Sequence, residues 1–235
     1  MVPQISFVIP AHNEETLIAQ TLDSIRDSTP QAASYEIVVV DDTSTDQTAQ
    51  IAEARGAKVV NINRRHISAA RNAGAKQALG ELFVFVDADT SVTPEAIRGA
   101  IDAIRDGFLA GGAVVKFDGQ VPLYARLFLR LATLAQKRIG FAAGCFVFSS
   151  RDAFEQSGGF DESIFAGEEV EFSKSLKKLG PFKVLKSPVI TSGRKLRAHS
   201  CWTILGTLAS LMIRGKRGVR SRDRLSLWYD TKARG

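Results

Sequence analysis

Cysteine is scarce in this chain. Cys145 and Cys201 are the two among 235 residues, both in apolar sequence, and neither belongs to a Cys-x-x-Cys pair or a Cys/His cluster. A structural zinc site therefore lacks ligands, and a disulfide framework lacks cysteines. Reduced thiols in a cytosolic setting are the expectation. Long hydrophobic runs are missing too. The apolar stretch 201–213 is shorter than the roughly 20 residues that cross a bilayer. The opening Met1-Val2-Pro3-Gln4-Ile5-Ser6 has no basic start, and Pro10 interrupts the apolar run, so no signal peptide is expected. Two nucleotide motifs are also absent: there is no Gly-x-x-x-x-Gly-Lys-Ser/Thr, and no Gly-x-Gly-x-x-Gly follows the first apolar run.

Charge is present but uneven. The net charge is +6, yet residues 194–235 hold eleven Lys/Arg against two Asp, so the body before them is mildly acidic. A basic tail on an acidic body fits an anionic surface such as phospholipid headgroups, and it equally fits a solvated tail. Near its end the aromatic residues are only Trp228 and Tyr229, too few to interleave with bases, so nucleic acid is disfavoured as a partner. Residues 201–214 place Thr203, Thr207, Ser210 and Arg214 on one stripe and apolar side chains on the rest. That pattern suits a helix on a membrane surface, or one packed on the domain.

The remaining sequence alternates strands with helices. Ile5-Ser6-Phe7-Val8-Ile9, Glu36-Ile37-Val38-Val39-Val40 and Leu82-Phe83-Val84-Phe85-Val86 are short, nearly continuous apolar runs. Such runs are typical of parallel strands covered on both faces. Ala57-Lys58-Val59-Val60 is a further strand. Helical spacing predicts helices over 14–26 and 68–79, the second closed by Gly80. Ser44-Thr45-Asp46-Gln47 reads as a capping box opening another. Thr93 with Pro94 starts a fourth helix as N-cap and first residue. Later come strands at 113–117 and 145–148, helices at 123–137 and 168–179, and a helix at 201–214 before the basic tail. The order predicts a doubly wound α/β sheet, whose ligands bind beyond the carboxyl ends of the strands.

Acids sit at those ends. Asp41 and Asp42 follow one apolar strand, Asp87 and Asp89 another. Two carboxylates one residue apart can share a divalent ion, magnesium or manganese, with diphosphate oxygens. Aspartates also serve as turn residues and caps, but Ser44 and Thr93 are already available for capping.

At this point the residues resemble a known family. Phe7-Val8-Ile9-Pro10-Ala11-His12-Asn13-Glu14-Glu15, Val38-Val39-Val40-Asp41-Asp42-Thr43-Ser44-Thr45-Asp46, Ser68-Ala69-Ala70-Arg71-Asn72-Ala73-Gly74 and Phe85-Val86-Asp87-Ala88-Asp89 look like successive blocks of family 2 glycosyltransferases. Gly158-Gly159-Phe160-Asp161-Glu162 and Gly167-Glu168-Glu169-Val170-Glu171 look like the acceptor-side blocks. The resemblance implies a GT-A fold: a Rossmann-like, mixed, mostly parallel sheet flanked by helices. One domain would span 1–193, with a donor half to about 107, and a helix and basic tail would occupy 194–235. It implies an inverting transfer from a UDP- or GDP-sugar to an acceptor, with manganese or magnesium.

In that reading Pro10, Ala11 and Glu14 line the nucleotide pocket and Asp42 accepts a hydrogen bond from the base. Asp89 binds the metal with Asp87 beside it, and Arg71 positions the sugar diphosphate. Glu169, next to Glu168, takes the acceptor proton; if the acceptor were a lipid phosphate, already ionised, no base would be needed. The basic turn Thr191-Ser192-Gly193-Arg194-Lys195 sets Arg194 as a diphosphate clamp, and His199 is a candidate third metal ligand. A cytoplasmic enzyme with peripheral contact at the inner face of a membrane is the expectation. Two other classes stay open. Phe85-Val86-Asp87-Ala88-Asp89-Thr90 also fits a haloacid dehalogenase phosphatase with Asp87 as nucleophile, although two or three strands precede it. A non-catalytic protein whose tail binds a membrane surface is the third.

Overall fold

The structure is a computed structural model that describes residues 3–119, 136, 138, 140–194 and 197. The predicted helices at 123–137 and 201–214, the basic tail beyond 197 and His199 lie outside the described residues, apart from positions 136 and 197. Within the described part the chain runs β1 (Ile5–Ala11), α1 (Ile18–Ser28), β2 (Tyr35–Asp42), α2 (Thr48–Ala54), β3 (Lys58–Ile62), α3 (Ile67–Gln77) and β4 (Leu82–Val86). It continues through β5 (Thr90–Ser91), α4 (Pro94–Arg105), β6 (Ala110–Phe117), β7 (Phe146–Ser150), α5 (Arg151–Ser157), α6 (Glu168–Leu179) and β8 (Phe182–Thr191). The strands form one sheet in the order β3-β2-β1-β4-β7-β6-β8-β5.

The parallel part is the expected one: β1 pairs in parallel with β2 and β4, and β2 with β3. β7 then runs antiparallel between β4 and β6, which makes the sheet mixed. Alternation along β1 explains why its run is apolar apart from Ser6. Phe7 and Ile9 pack with Leu22, Ile25 and Ile97, which belong to α1 and α4, while Val8 faces Ala75, Phe83 and Phe172 on the other side. Strands buried on both faces need apolar residues at every position. Gly74 shows how closely α3 lies on this sheet: a Cβ there would collide with the Val8 side chain and lie 2.8 Å from Val40 Cγ2.

Two helix starts differ from the sequence expectation, for one reason. The predicted capping box at Ser44 does not form. Ser44 Oγ instead accepts from the Asn13 backbone N–H at 3.0 Å, and Asp46 Oδ1 caps Thr48 N–H at 3.0 Å. In return, Asn13 Oδ1 accepts from Thr45 N–H, Glu15 Oε2 from Gln47 N–H, and Thr48 Oγ1 from Glu14 N–H. The loops after β1 and β2 thus cap one another, so α1 begins at Ile18 rather than residue 14. Capping groups supplied across space leave no local sequence signature. α3 starts at Ile67 with His66 as N-cap. The Thr93–Pro94 start of α4 and the span of α6 match the expectation. Among the described residues no helix is long and apolar enough to cross a membrane.

Candidate active site

The carboxyl ends of β1, β2 and β4 lie side by side, and the loops that follow them hold the predicted site residues. Asp42 is 4% exposed. Its Oδ1 accepts the N–H groups of Arg64 and Arg65, each at 2.8 Å, and its Oδ2 accepts that of His66 at 2.7 Å. The carboxylate thereby shapes the loop between β3 and α3, including Arg65 at φ +48. Neighbouring Asp41 is buried, and its Oδ1 has no hydrogen-bond partner among the described residues. Pro10 lies half-buried at this edge, opposite Val40. The Ala11 side chain belongs to the core, so any contact it offers a nucleotide is through its backbone.

The turn after β4 carries the acidic pair. Thr90 N–H bonds the Asp87 carbonyl at 3.0 Å, and Thr90 then pairs with Thr191 at the end of β8. That pairing brings the chain after β8 onto Asp89. Thr191 Oγ1 donates to Asp89 Oδ1 at 3.2 Å, and Arg194 Nη2 lies 3.3 Å from Asp89 Oδ2. The same Nη2 donates to both Glu14 carboxylate oxygens at 2.5 Å. Burial disfavours the charge on Arg194, but its hydrogen bond and attraction to Glu14, then Asp89, outweigh that and hold it more firmly protonated. Predicted as a clamp for diphosphate, Arg194 here joins two of the predicted site carboxylates.

Asp87 is held from inside. Arg71 Nη2 donates to Asp87 Oδ1 at 2.9 Å and to the Gly144 carbonyl at 2.8 Å, while Nη1 donates to Glu168 Oε1 at 2.5 Å. The guanidinium is 1% exposed and lies over the Phe160 ring at 5.1 Å. Asn72, one residue on, fixes that ring's backbone: its side chain donates to the Phe160 carbonyl and accepts from the Phe160 N–H, both at 2.9 Å. Burial works against a charged Arg71, yet Asp87, Glu168 and Glu169 overcome it and raise its affinity for the proton. Enclosed in this way, Arg71 is turned toward Asp87, Glu168 and the Gly144 carbonyl.

The two glutamates at the start of α6 are unequal. Glu168 is buried and bound to Arg71. Burial, with the adjoining Glu168 carboxylate adding to it, pushes Glu169 up to about 8, while Arg71 pulls the other way. A carboxyl raised toward working pH is what a proton-accepting group needs. Three residues of the arrangement escaped the sequence reading. Gly144 contributes only a carbonyl and has no signal. Thr191 had a weak one, since it ends the strand before Arg194. Asp118, whose Oδ1 accepts the Gly193 N–H beside Arg194 at 2.7 Å, had a clear one: it is an acid just past an apolar strand, as Asp41 and Asp87 are.

Among the described residues no three His, Cys, Asp or Glu side chains gather as a metal cluster. The pair Asp87 and Asp89 nevertheless fits a hard divalent cation that takes its other oxygens from diphosphate and water. Both side chains are partly open, 29% and 14%, and the Arg194 cation already rests against Asp89.

The family comparison spans the first four of the sequence blocks and ends at Gly158, where the two acceptor-side ones begin. The model of glycosyl transferase family 2 matches residues 6–158. The chain belongs to that family, and its sheet is the GT-A fold. It is 35% identical over 137 residues to the dolichol-phosphate mannosyltransferase of Pyrococcus furiosus, a match covering 53% of this chain and 38% of that protein. The chain thus spans well under two thirds of such relatives. In structure it resembles Staphylococcus aureus TarS in complex with UDP-GlcNAc, with TM-score 0.65, 23% identity, and coverage of 90% of this chain and 67% of that one. It also resembles glucosyl-3-phosphoglycerate synthase from Mycobacterium tuberculosis, solved with Mn2+, UDP and glucosyl-3-phosphoglycerate, with TM-score 0.65, 20% identity, and coverage of 94% and 82%. At such identities these structures speak for the fold.

Proposed function

We propose that the protein transfers a glycosyl group from a UDP- or GDP-sugar to an acceptor, with inversion at the anomeric carbon and with the help of manganese or magnesium. The observation that carries this reading is one shared edge. There Glu14, Asp89 and Arg194 meet, and next to Asp89 the Asp87 carboxylate connects through Arg71 to Glu168, the chain neighbour of Glu169. Relatives solved with UDP-GlcNAc, and with UDP and Mn2+, support it.

Asp89 and Asp87 would hold the cation, which neutralises charge on the departing diphosphate when bound. Pro10, the backbone of Ala11, Glu14 and the loop shaped by Asp42 would cradle the nucleotide. Arg194 would turn from the carboxylates to the diphosphate, offering Nε, which is buried and has no partner among the described residues. Glu169 removes the acceptor hydroxyl proton as that oxygen bonds to the anomeric carbon. The bond from that carbon to the diphosphate oxygen breaks on the opposite face, and its electron pair leaves with the nucleotide. Arg71 holds Asp87 and the start of α6 at a fixed spacing through the reaction.

The raised Glu169 favours a second acceptor chemistry. A phosphate monoester, such as a lipid phosphate, arrives ionised and needs no base; a protonated Glu169 would then donate a hydrogen bond to it. The basic tail and the Pyrococcus relative's name support an acceptor at a membrane surface. Titration calorimetry with UDP- and GDP-sugars, with and without Mn2+, tests the donor reading. Metal-dependent binding lost in Asp89→Ala is expected; no binding of any common donor, or unchanged affinity in the variant, would sink it.

A further inference from the structure

Asp118 stands one residue past β6, outside every block of the family resemblance, yet it holds the segment that carries Arg194. Its Oδ1 accepts the Gly193 N–H at 2.7 Å and an Arg197 Nη1 hydrogen at 3.0 Å. The same Nη1 donates to the Asp118 carbonyl at 2.9 Å. The Asp118 N–H bonds the Thr191 carbonyl at 3.0 Å, and Arg197 N–H bonds the Gly193 carbonyl at 3.0 Å. The chain after β8 is therefore folded back on the end of β6 by Asp118, through its main chain and, at Gly193, through its carboxylate. The fit is close: a Cβ on Gly193 would lie 3.0 Å from the Asp118 carbonyl oxygen and 2.6 Å from Arg197 Nη1. The Gly193 N–H, and after it Arg197 and Arg194, keep the Asp118 carboxyl below its usual range, so it stays ionised at neutral pH.

Arg194 follows Gly193 directly, and its guanidinium reaches Glu14 and Asp89 from the turn closed in this way, which the Ser192 N–H also ties to the Asp89 carbonyl at 3.1 Å. Asp118 and Arg197 are both nearly half exposed, so their ion pair adds little to stability. What the contact supplies is direction.

We propose that Asp118 is a positioning residue of the donor edge: it folds the turn after β8 so that Arg194 is delivered to Glu14 and Asp89. The proposal rests on the reading of that edge as the donor site. It names a residue on which Arg194 depends and which does not itself touch the donor.

The test has one readout free of any ligand and one that uses it. The first is phenylglyoxal modification of Arg194 in the free protein, followed by peptide mass spectrometry. Arg194 is 14% exposed and should react slowly. Loss of a charge-assisted hydrogen bond in Asp118→Ala should speed its modification by about tenfold. Gly193→Ala, which crowds the same clamp without altering a charge, should act in the same direction. Asp118→Asn should stay near the wild-type rate, because an amide oxygen can accept the same two hydrogen bonds.

The second readout is binding of UDP and of GDP with Mn2+. Asp118→Ala should weaken it by about tenfold, and should add nothing further in an Arg194→Ala background, since a residue acting through another is non-additive with it. The melting temperature should hardly move. Unchanged Arg194 reactivity in both Asp118→Ala and Gly193→Ala overturns the proposal, as do losses that simply add. If Arg194 becomes reactive as expected but no protein, wild type included, binds either nucleotide, the clamp stands and the donor reading fails.

Discussion

Two arginines divide the Asp87-Ala88-Asp89 turn between them. Arg71 takes Asp87 from inside the fold; it is 1% exposed and tied also to Glu168 and the Gly144 carbonyl. Arg194 takes Asp89 from the rim; it is 14% exposed and shared with Glu14. The pairings are chemically alike, a guanidinium between two carboxylates, but their surroundings give them different work. An ion pair enclosed by Phe160 and the start of α6 cannot open without leaving charges uncompensated in the interior. One nearer the rim, 13–14% exposed, can open where new partners, such as a cation on the carboxylates and a diphosphate on the guanidinium, replace the lost ones. One acid of the motif is thus fixed as scaffold, and the other stays exchangeable.

The contrast breaks first at Arg71. Arg71→Ala leaves Asp87 and Glu168 without their partner, and should cost about 3–5 kcal/mol in urea-unfolding experiments. A loss within experimental error would mean that the buried pairing holds nothing together. Asp89→Ala comes next. It should weaken Mn2+-dependent nucleotide binding by at least the roughly 10–100-fold expected even of a residue that merely supports a metal, while leaving the unfolding midpoint nearly unchanged.

Glu169 sharpens the comparison through pH. Its folded value, about 8, lies above the 4.5 of a free glutamate, so the folded protein binds more protons than the unfolded one between those limits. Stability from this group is therefore fully present below 4.5 and is lost as pH rises through about 8. Glu169→Gln should flatten that decline in a thermal-melt series and, if Glu169 is the base, abolish turnover. For a hydroxyl acceptor, kcat/KM should climb with pH through about 8. A kcat/KM that falls over the same range would favour the phosphate acceptor. Arg194→Ala leaves Glu14 and Asp89, 13% and 14% exposed, without their shared cation; it should cost about 1–3 kcal/mol, less than Arg71→Ala, and calorimetry should show weaker nucleotide binding.

Much of the donor half is legible in the sequence. Continuous apolar runs at β1, β2 and β4 require burial on both faces, and acids just past them fall on one edge of the sheet. The start of α4 is legible because Thr93 and Pro94 are local signals, and α6 because its acidic first turn and its spacing agree. The β1 and β2 loops were misread where Ser44 and Gln47 looked like a capping box, because the true partners, Asn13 and Glu15, lie some thirty residues away. β5 is two residues long and exists through its pairing with β8, so no periodicity could announce it.

The sequence by itself determined the order of strands and helices, the edge where ligands would bind, and the acids that stand there. Burial pattern and local capping act within a few residues, so they can be read along the chain. Tertiary structure decided which arginine holds which aspartate, which glutamate is tied up and which is left with a raised proton affinity. It also decided that Asp118 folds Arg194 into place. Those outcomes depend on distances between groups as far apart as Glu14 and Arg194, and on how much water the fold leaves between them, since the strength of a charge interaction follows from both.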